Sequence, residues 1–115
     1  KGVEPGTTEF RLAMRSAKEA VSLLPGLSGA RTVLAKLYLQ AGSYREAAEE
    51  CRKALAQDPK DQTALYHLIQ ALRKIGDKDQ IPDLLKRLAQ VRRQSSHAES
   101  QRSQYKLVEE DSQPK

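Results

Sequence analysis

Few residues in this chain belong to types that do chemistry, and none is spaced for it. Cys51 is the single cysteine, so no internal disulfide can form. The two histidines, His67 and His97, stand far apart with no neighbouring ligand set. Cysteine and histidine together are too few for a structural zinc site of four N or S ligands. Glu49 and Glu50 are adjacent, so on a helix they diverge by about 100° and cannot work as paired acid and base. They read instead as a solvated face. No H-E-x-x-H, phosphate-cradling Gly-rich loop, G-x-S-x-G or C-x-x-C occurs. The expectation is a protein that is not an enzyme, with no catalytic residue, no metal site and no cofactor.

Charge says more than chemistry does. The chain has 115 residues, enough for one compact domain and too few for two. Lys and Arg number 20 against 15 Asp and Glu, a balance of +5. Residues 94–115 hold three basic and four acidic side chains, which leaves 17 against 11, or +6, on residues 1–93. A basic body suits an acidic protein partner, an anionic surface or nucleic acid. The nucleic-acid alternative would use Arg73, Lys74, Lys78, Lys86, Arg87, Arg92 and Arg93. It lacks interleaved aromatics, since Tyr66 is the only candidate platform for a base. No apolar run approaches the ~18 residues of a membrane span.

The stronger signal is periodicity. A shift of 34 residues lays Leu34 on Leu68, Tyr38 on Leu72, Gly42 on Gly76, Ala47 on Ile81, Cys51 on Leu85 and Ala54 on Leu88. The reverse shift places Ala13, Ala17, Ala20 and Pro25 under Ala47, Cys51, Ala54 and Pro59. Cys51 therefore falls at a repeated packing position and reads as core rather than nucleophile. A period of this length signals stacked helical hairpins.

Local signals place five helices, over 8–23, 28–41, 44–57, 61–75 and 79–93. Val33, Leu34, Leu37 and Tyr38 form an apolar stripe at helical spacing. Gly42 closes that helix in a left-handed cap. Ser43 and Glu46 form an S-x-x-E capping box for the next. Ala47, Ala48, Cys51, Ala54 and Leu55 face inward along it, and Pro59 stops it. Asp61 caps the fourth helix and Asp79 the fifth, with Pro82 tolerated in its first turn. Thr8 caps the first, and Pro25 ends it.

Leu34, Ala35, Tyr38, Gly42, Ala47, Ala54 and Pro59 stand at the spacings of a tetratricopeptide repeat, and residues 28–61 resemble one. Arg31 and Cys51 depart from it, where Trp and an aromatic are usual. Residues 62–95 are similar to a second, more degenerate copy with Leu65, Leu68, Leu72, Gly76 and Ile81. Ile69 replaces its small residue and Arg93 its closing proline. Residues 8–27 resemble the second half of a preceding copy. The resemblance implies an all-α fold, a right-handed α-solenoid of antiparallel helix pairs with about two and a half repeats over residues 8–93. Residues 1–7 form a frayed lead and residues 94–115 a polar C-terminal extension. For that extension the alternatives are a helix running past Ser95, a tail folded back over the end of the stack, and disorder. The incomplete first copy implies further repeats or another domain before Lys1, while the fading periodicity sets Lys115 near a natural end.

The same resemblance implies a protein-interaction scaffold within a larger protein. In this family the first helix of each pair lines a concave groove. Carried onto this sequence, the groove positions are Gly29, Thr32, Lys36, Leu39 and Gln40, then Thr63, Tyr66, Gln70, Arg73 and Lys74. Amides, an aromatic and cations suit a peptide or neighbouring domain of acidic character. No small-molecule substrate is implied. Self-association through the broken ends of the stack is the structural alternative. Some members clamp a chaperone's C-terminal carboxylate with Lys and Asn. Here Thr32 and Gln70 stand at such places and the chain has no Asn, so that activity is not carried over.

Overall fold

The computed structural model describes the backbone of residues 4–112 and the side chains of residues 4–103. Five helices follow one another among them: α1 Thr8–Leu23, α2 Ser28–Gln40, α3 Tyr44–Gln57, α4 Gln62–Ile75 and α5 Ile81–Ser112. No strand occurs among the described residues. Short turns make each helix antiparallel to the next. Helices α1 to α5 pack as a series of neighbours, and α2 also lies against α4. The chain is an all-α helical repeat.

Turn chemistry sets these boundaries. Gly42 has φ +79°, a conformation a side chain resists. It lets the Ser43 N–H reach the Tyr38 carbonyl at 2.8 Å and its own N–H reach Leu39 at 3.1 Å. That pair of bonds is a Schellman closure. Gly76, at φ +90°, repeats the left-handed turn after α4, where its N–H and that of Asp77 both donate to Leu72. The Asp61 carboxylate accepts from the Ala64 N–H at 3.0 Å, as expected of an N-cap.

Three caps differ from expectation. Thr7, not Thr8, caps α1, its hydroxyl accepting from the Phe10 N–H at 3.1 Å. Thr8 already lies inside the helix. Ser43 precedes α3 but makes no side-chain cap bond, so the capping box with Glu46 does not form. Its N–H, which Glu46 would have to receive, is committed to Tyr38, and its ψ of 69° lies outside the extended region a capping serine adopts. Helix α5 begins at Ile81, two residues after Asp79, and no side-chain bond from Asp79 caps it among the described residues. With no Pro or Gly between Pro82 and Pro114, α5 also runs past Arg93 to Ser112. The tail alternatives involving Tyr105, Leu107 and Val108 concern side chains outside the described ones.

The core is a seam of small residues flanked by leucines. Ala35, Ala47, Cys51, Ala54, Ala64 and Ala71 are fully buried where α2, α3 and α4 meet. Leu65, Leu68, Ile69 and Leu72 of α4 fill the space between them, and Ile81, Leu84 and Leu88 of α5 close it. Of the expected α2 stripe, Leu34 is buried, Leu37 and Tyr38 are half-buried, and Val33 faces solvent at 55% exposure.

One charged pair joins this packing. The Arg31 guanidinium donates to Glu50 across α2 and α3 at 3.1 Å, with both side chains only 13% exposed. It also donates to the Pro25 carbonyl in the α1–α2 turn at 3.2 Å. Glu50 is thus no part of a solvated face, although Glu49 is exposed as expected.

The two N-terminal polar residues of α3 and α4 should respond differently to truncation. Asp61→Ala should destabilise the fold by about 1 kcal/mol, the usual worth of an N-cap bond. Ser43→Ala should cost clearly less, because its side chain caps nothing. Urea unfolding followed by circular dichroism would separate the two.

Candidate functional site

A cleft of about 360 Å³ opens between α2 and α4. Antiparallel hairpins put both of these helices on the same layer, and the alanine seam holds them at a short distance. Lys36, Leu39 and Gln40 enter from α2, while Tyr66, Gln70 and Lys74 enter from α4. Steps of three and four residues put each set on one helical face. Tyr44, at the start of α3, and His67 complete the lining.

Six of the nine residues expected in the groove, with Gly29 counted apart, therefore meet at one cleft. The other three stand elsewhere. Thr32 is buried, and its hydroxyl donates to the Gly29 carbonyl at 2.9 Å within α2. That bond turns the polar group into its own helix. Gly29 is exposed one turn earlier, and Thr63 is exposed at the start of α4 outside the cleft lining. Arg73 points to a separate hollow of about 510 Å³ with Lys78, Ile81 and Pro82 at the α4–α5 turn. One position along a helix rotates the side chain by about 100°, which takes Arg73 off the face that Lys74 presents.

Tyr44 and His67 were not among the expected residues. The family's groove pattern draws on the first helix of each pair, and Tyr44 belongs to a second helix. His67 neighbours Tyr66, with ring centroids 5.8 Å apart and tilted by 49°. Its Nδ1 lies 3.1 Å from Gln70 Oε1, so the amide oxygen and the imidazole satisfy each other along one turn. The signal in the sequence was the spacing of 67, 70 and 74 on one face.

The cleft's electrostatics are one-sided. Lys36 and Lys74 supply two cations, and no carboxylate lines it. Leu39 and the 47%-exposed Tyr66 ring give it an apolar floor. Gln40 and Gln70 offer amides that can donate to or accept from a backbone. Among the described residues no three Cys, His, Asp or Glu side chains converge to hold a metal ion, and no helix is long and apolar enough to cross a membrane.

The remaining chemical residues are structural. Tyr38, under the Lys18 ammonium at 5.9 Å, has its phenol pushed above the usual range by burial and by the carboxylates of Glu50, Glu46 and Glu49. Cys51 is fully buried, and burial with the nearby Asp61 and Glu50 pushes its thiol up to about 12, against a smaller opposing pull from Arg52.

The tetratricopeptide repeat family model matches residues 38–104, more than half of the chain. The chain belongs to the tetratricopeptide repeat family, whose repeats generally mediate protein–protein interaction and are typically non-catalytic. No curated protein matches it.

A buried, protonated thiol should be chemically silent. At about pH 8 Cys51 should resist alkylation in the native protein and react after unfolding, because the thiolate is the nucleophile. Folding raises the thiol pKa from 9.0 to about 12, so its contribution to stability is complete below 9.0 and falls as pH rises from there. Rapid labelling of the native protein, read by mass spectrometry, would contradict this placement.

Proposed function

We propose that the chain is a non-catalytic scaffold that binds an acidic peptide segment, from a protein partner or a neighbouring domain, in the cleft between α2 and α4. The observation that carries this reading is the cleft's composition: an apolar floor from Leu39 and Tyr66, two lysines and no carboxylate. Apolar anchors in a concave site supply affinity, while one-signed charge steers and selects the partner. The amides of Gln40 and Gln70 suit a bound backbone, and an extended or a helical segment would both satisfy them.

Each cleft residue has a role in this reading. Tyr66 is the exposed aromatic anchor, of the type that dominates binding energy at interfaces. Lys36 and Lys74 act through charge from opposite helices. Gln70 holds His67 in place beside the tyrosine. Thr32 and Arg73 have no direct part, since one is buried in its own helix and the other faces the separate hollow.

Selection from a displayed random-peptide library tests the reading. Wild-type protein should enrich peptides with Asp or Glu beside an apolar residue. Tyr66→Ala should weaken the selected peptides by about tenfold or more, the usual consequence of losing an aromatic anchor. Lys36→Glu with Lys74→Glu should weaken them further and reduce the salt dependence. Both variants should keep the helical circular dichroism of the parent. Peptides with no acidic preference, or equal binding by the charge-reversed variant, would remove the cleft as the site.

A further inference from the structure

The cleft holds one side chain whose charge is not fixed. His67 follows Tyr66 on α4, and its ring lines the cleft together with Lys36 and Lys74. Its Nδ1 stands 3.1 Å from the Gln70 Oε1, the one side-chain hydrogen bond of the ring among the described residues. An amide oxygen only accepts, so Nδ1–H is the donor of that bond and Nε2 keeps a free lone pair. Protonation at Nε2 leaves the bond to Gln70 in place, because both ring nitrogens of an imidazolium donate. Stacking of the repeats does not call for a histidine here. The 34-residue shift lays Val33 on His67, and Val33 is an exposed aliphatic residue in the earlier copy. His67 itself is half-buried. What the imidazole adds is a titratable group in the cleft.

Every group that shares the cleft with it is cationic or neutral. Lys36, Leu39 and Gln40 come from α2, Tyr44 from α3, and Tyr66, Gln70 and Lys74 from α4. The acid in the first turn of α3, Glu46, lines a different hollow with Arg45 and Ile75. Among the described residues, the chain places no carboxylate in the cleft to hold an imidazolium. An acidic segment of a partner supplies the first. Carboxylates brought within a few ångströms of an imidazole favour its protonated form.

We propose that His67 is a third, pH-dependent cation of the cleft: an acidic peptide bound between α2 and α4 draws a proton from solvent onto the His67 Nε2, and its affinity rises as pH falls from about 8 to about 5.5. The proposal rests on the reading of the cleft as an acidic-peptide site and adds its regulation. The complex holds more protons than the separate partners, so binding tightens in acid and weakens in base. The window belongs to the imidazole. Carboxylates titrate near about 4 and ammonium and phenol groups near about 10, so neither class changes charge within it.

Titration calorimetry of the full-length chain with a library-selected peptide rich in Asp and Glu tests it. The peptide is capped at both ends and free of histidine, so it brings no group that titrates in the window. Wild type should bind about three- to tenfold tighter at about pH 5.5 than at about pH 8, the effect of a change of up to about one pH unit in where the imidazole titrates. Between those limits the measured heat should vary with the ionisation enthalpy of the buffer in the sense of proton uptake. His67→Gln should bind throughout as wild type does at the alkaline limit, with no proton taken up. His67→Lys should bind throughout as wild type does at the acid limit, because its charge is fixed. His97→Gln, which changes an exposed residue of α5, should keep the wild-type pH dependence. Wild type with pH-independent affinity overturns the proposal, as does a His67→Gln variant that still tightens in acid. If Lys36→Glu with Lys74→Glu abolishes binding in either case, the cleft reading stands and only its regulation was wrong. If no acidic peptide binds at either limit, the cleft reading falls and the proposal with it.

Discussion

The close approach of α2, α3 and α4 through fully buried small side chains is the constraint on which the rest of the molecule depends. Ala35, Ala47, Cys51, Ala54, Ala64 and Ala71 remove the volume that would otherwise keep three helices apart. Leucines at 65, 68 and 72 then fill the remaining space to the density that protein interiors require. Each hairpin buries little by itself, so stability comes from stacking one on the next. Because the seam fixes how α2 sits beside α4, it also fixes the width of the cleft between them. An alanine in the core and a lysine in the cleft are thus parts of one arrangement.

The two copies solve the same contact with different chemistry. The 34-residue shift lays Arg31 on Leu65 and Glu50 on Leu84. In the later copy both positions are leucines in the buried cluster. In the earlier copy they are an ion pair across the same two positions of the hairpin. Such a pair in a mostly buried place stabilises little relative to well-packed apolar residues, because desolvation offsets most of the Coulomb attraction. Geometry distinguishes the two solutions. The guanidinium fork reaches Pro25 as well as Glu50, and the Gln57 amide donates to the same carbonyl. The ionic copy therefore ties α2, α3 and the α1–α2 turn together.

An open stack leaves faces that a closed domain would cover. Val33 on α2 and Leu85 on α5 are exposed although their spacing marks them as apolar contact positions. Leu85 repeats Cys51 by the 34-residue shift, yet Cys51 is buried because α4 follows it and no described helix follows α5 in the same way. Burial in a repeat protein depends on the neighbour as much as on the residue.

The sequence by itself determined the number of helices, their limits to within a residue or two for α1 to α4, the inward face of α3 and the fold family. Those features follow from local periodicity and from turn residues such as Gly42, Gly76 and Asp61, whose preferences act over a few bonds. It also placed six of the cleft residues, because family register carries helical face with it. Only the tertiary structure decided the rest. It spent the Ser43 N–H on closing α2, which cancelled a capping box the local pattern spelled out. It paired Arg31 with Glu50, turned Arg73 away from the cleft, and added Tyr44 from a neighbouring helix. Each of these depends on what a second element puts within reach in space, and a one-dimensional pattern holds no distance between residues 19 apart such as Arg31 and Glu50.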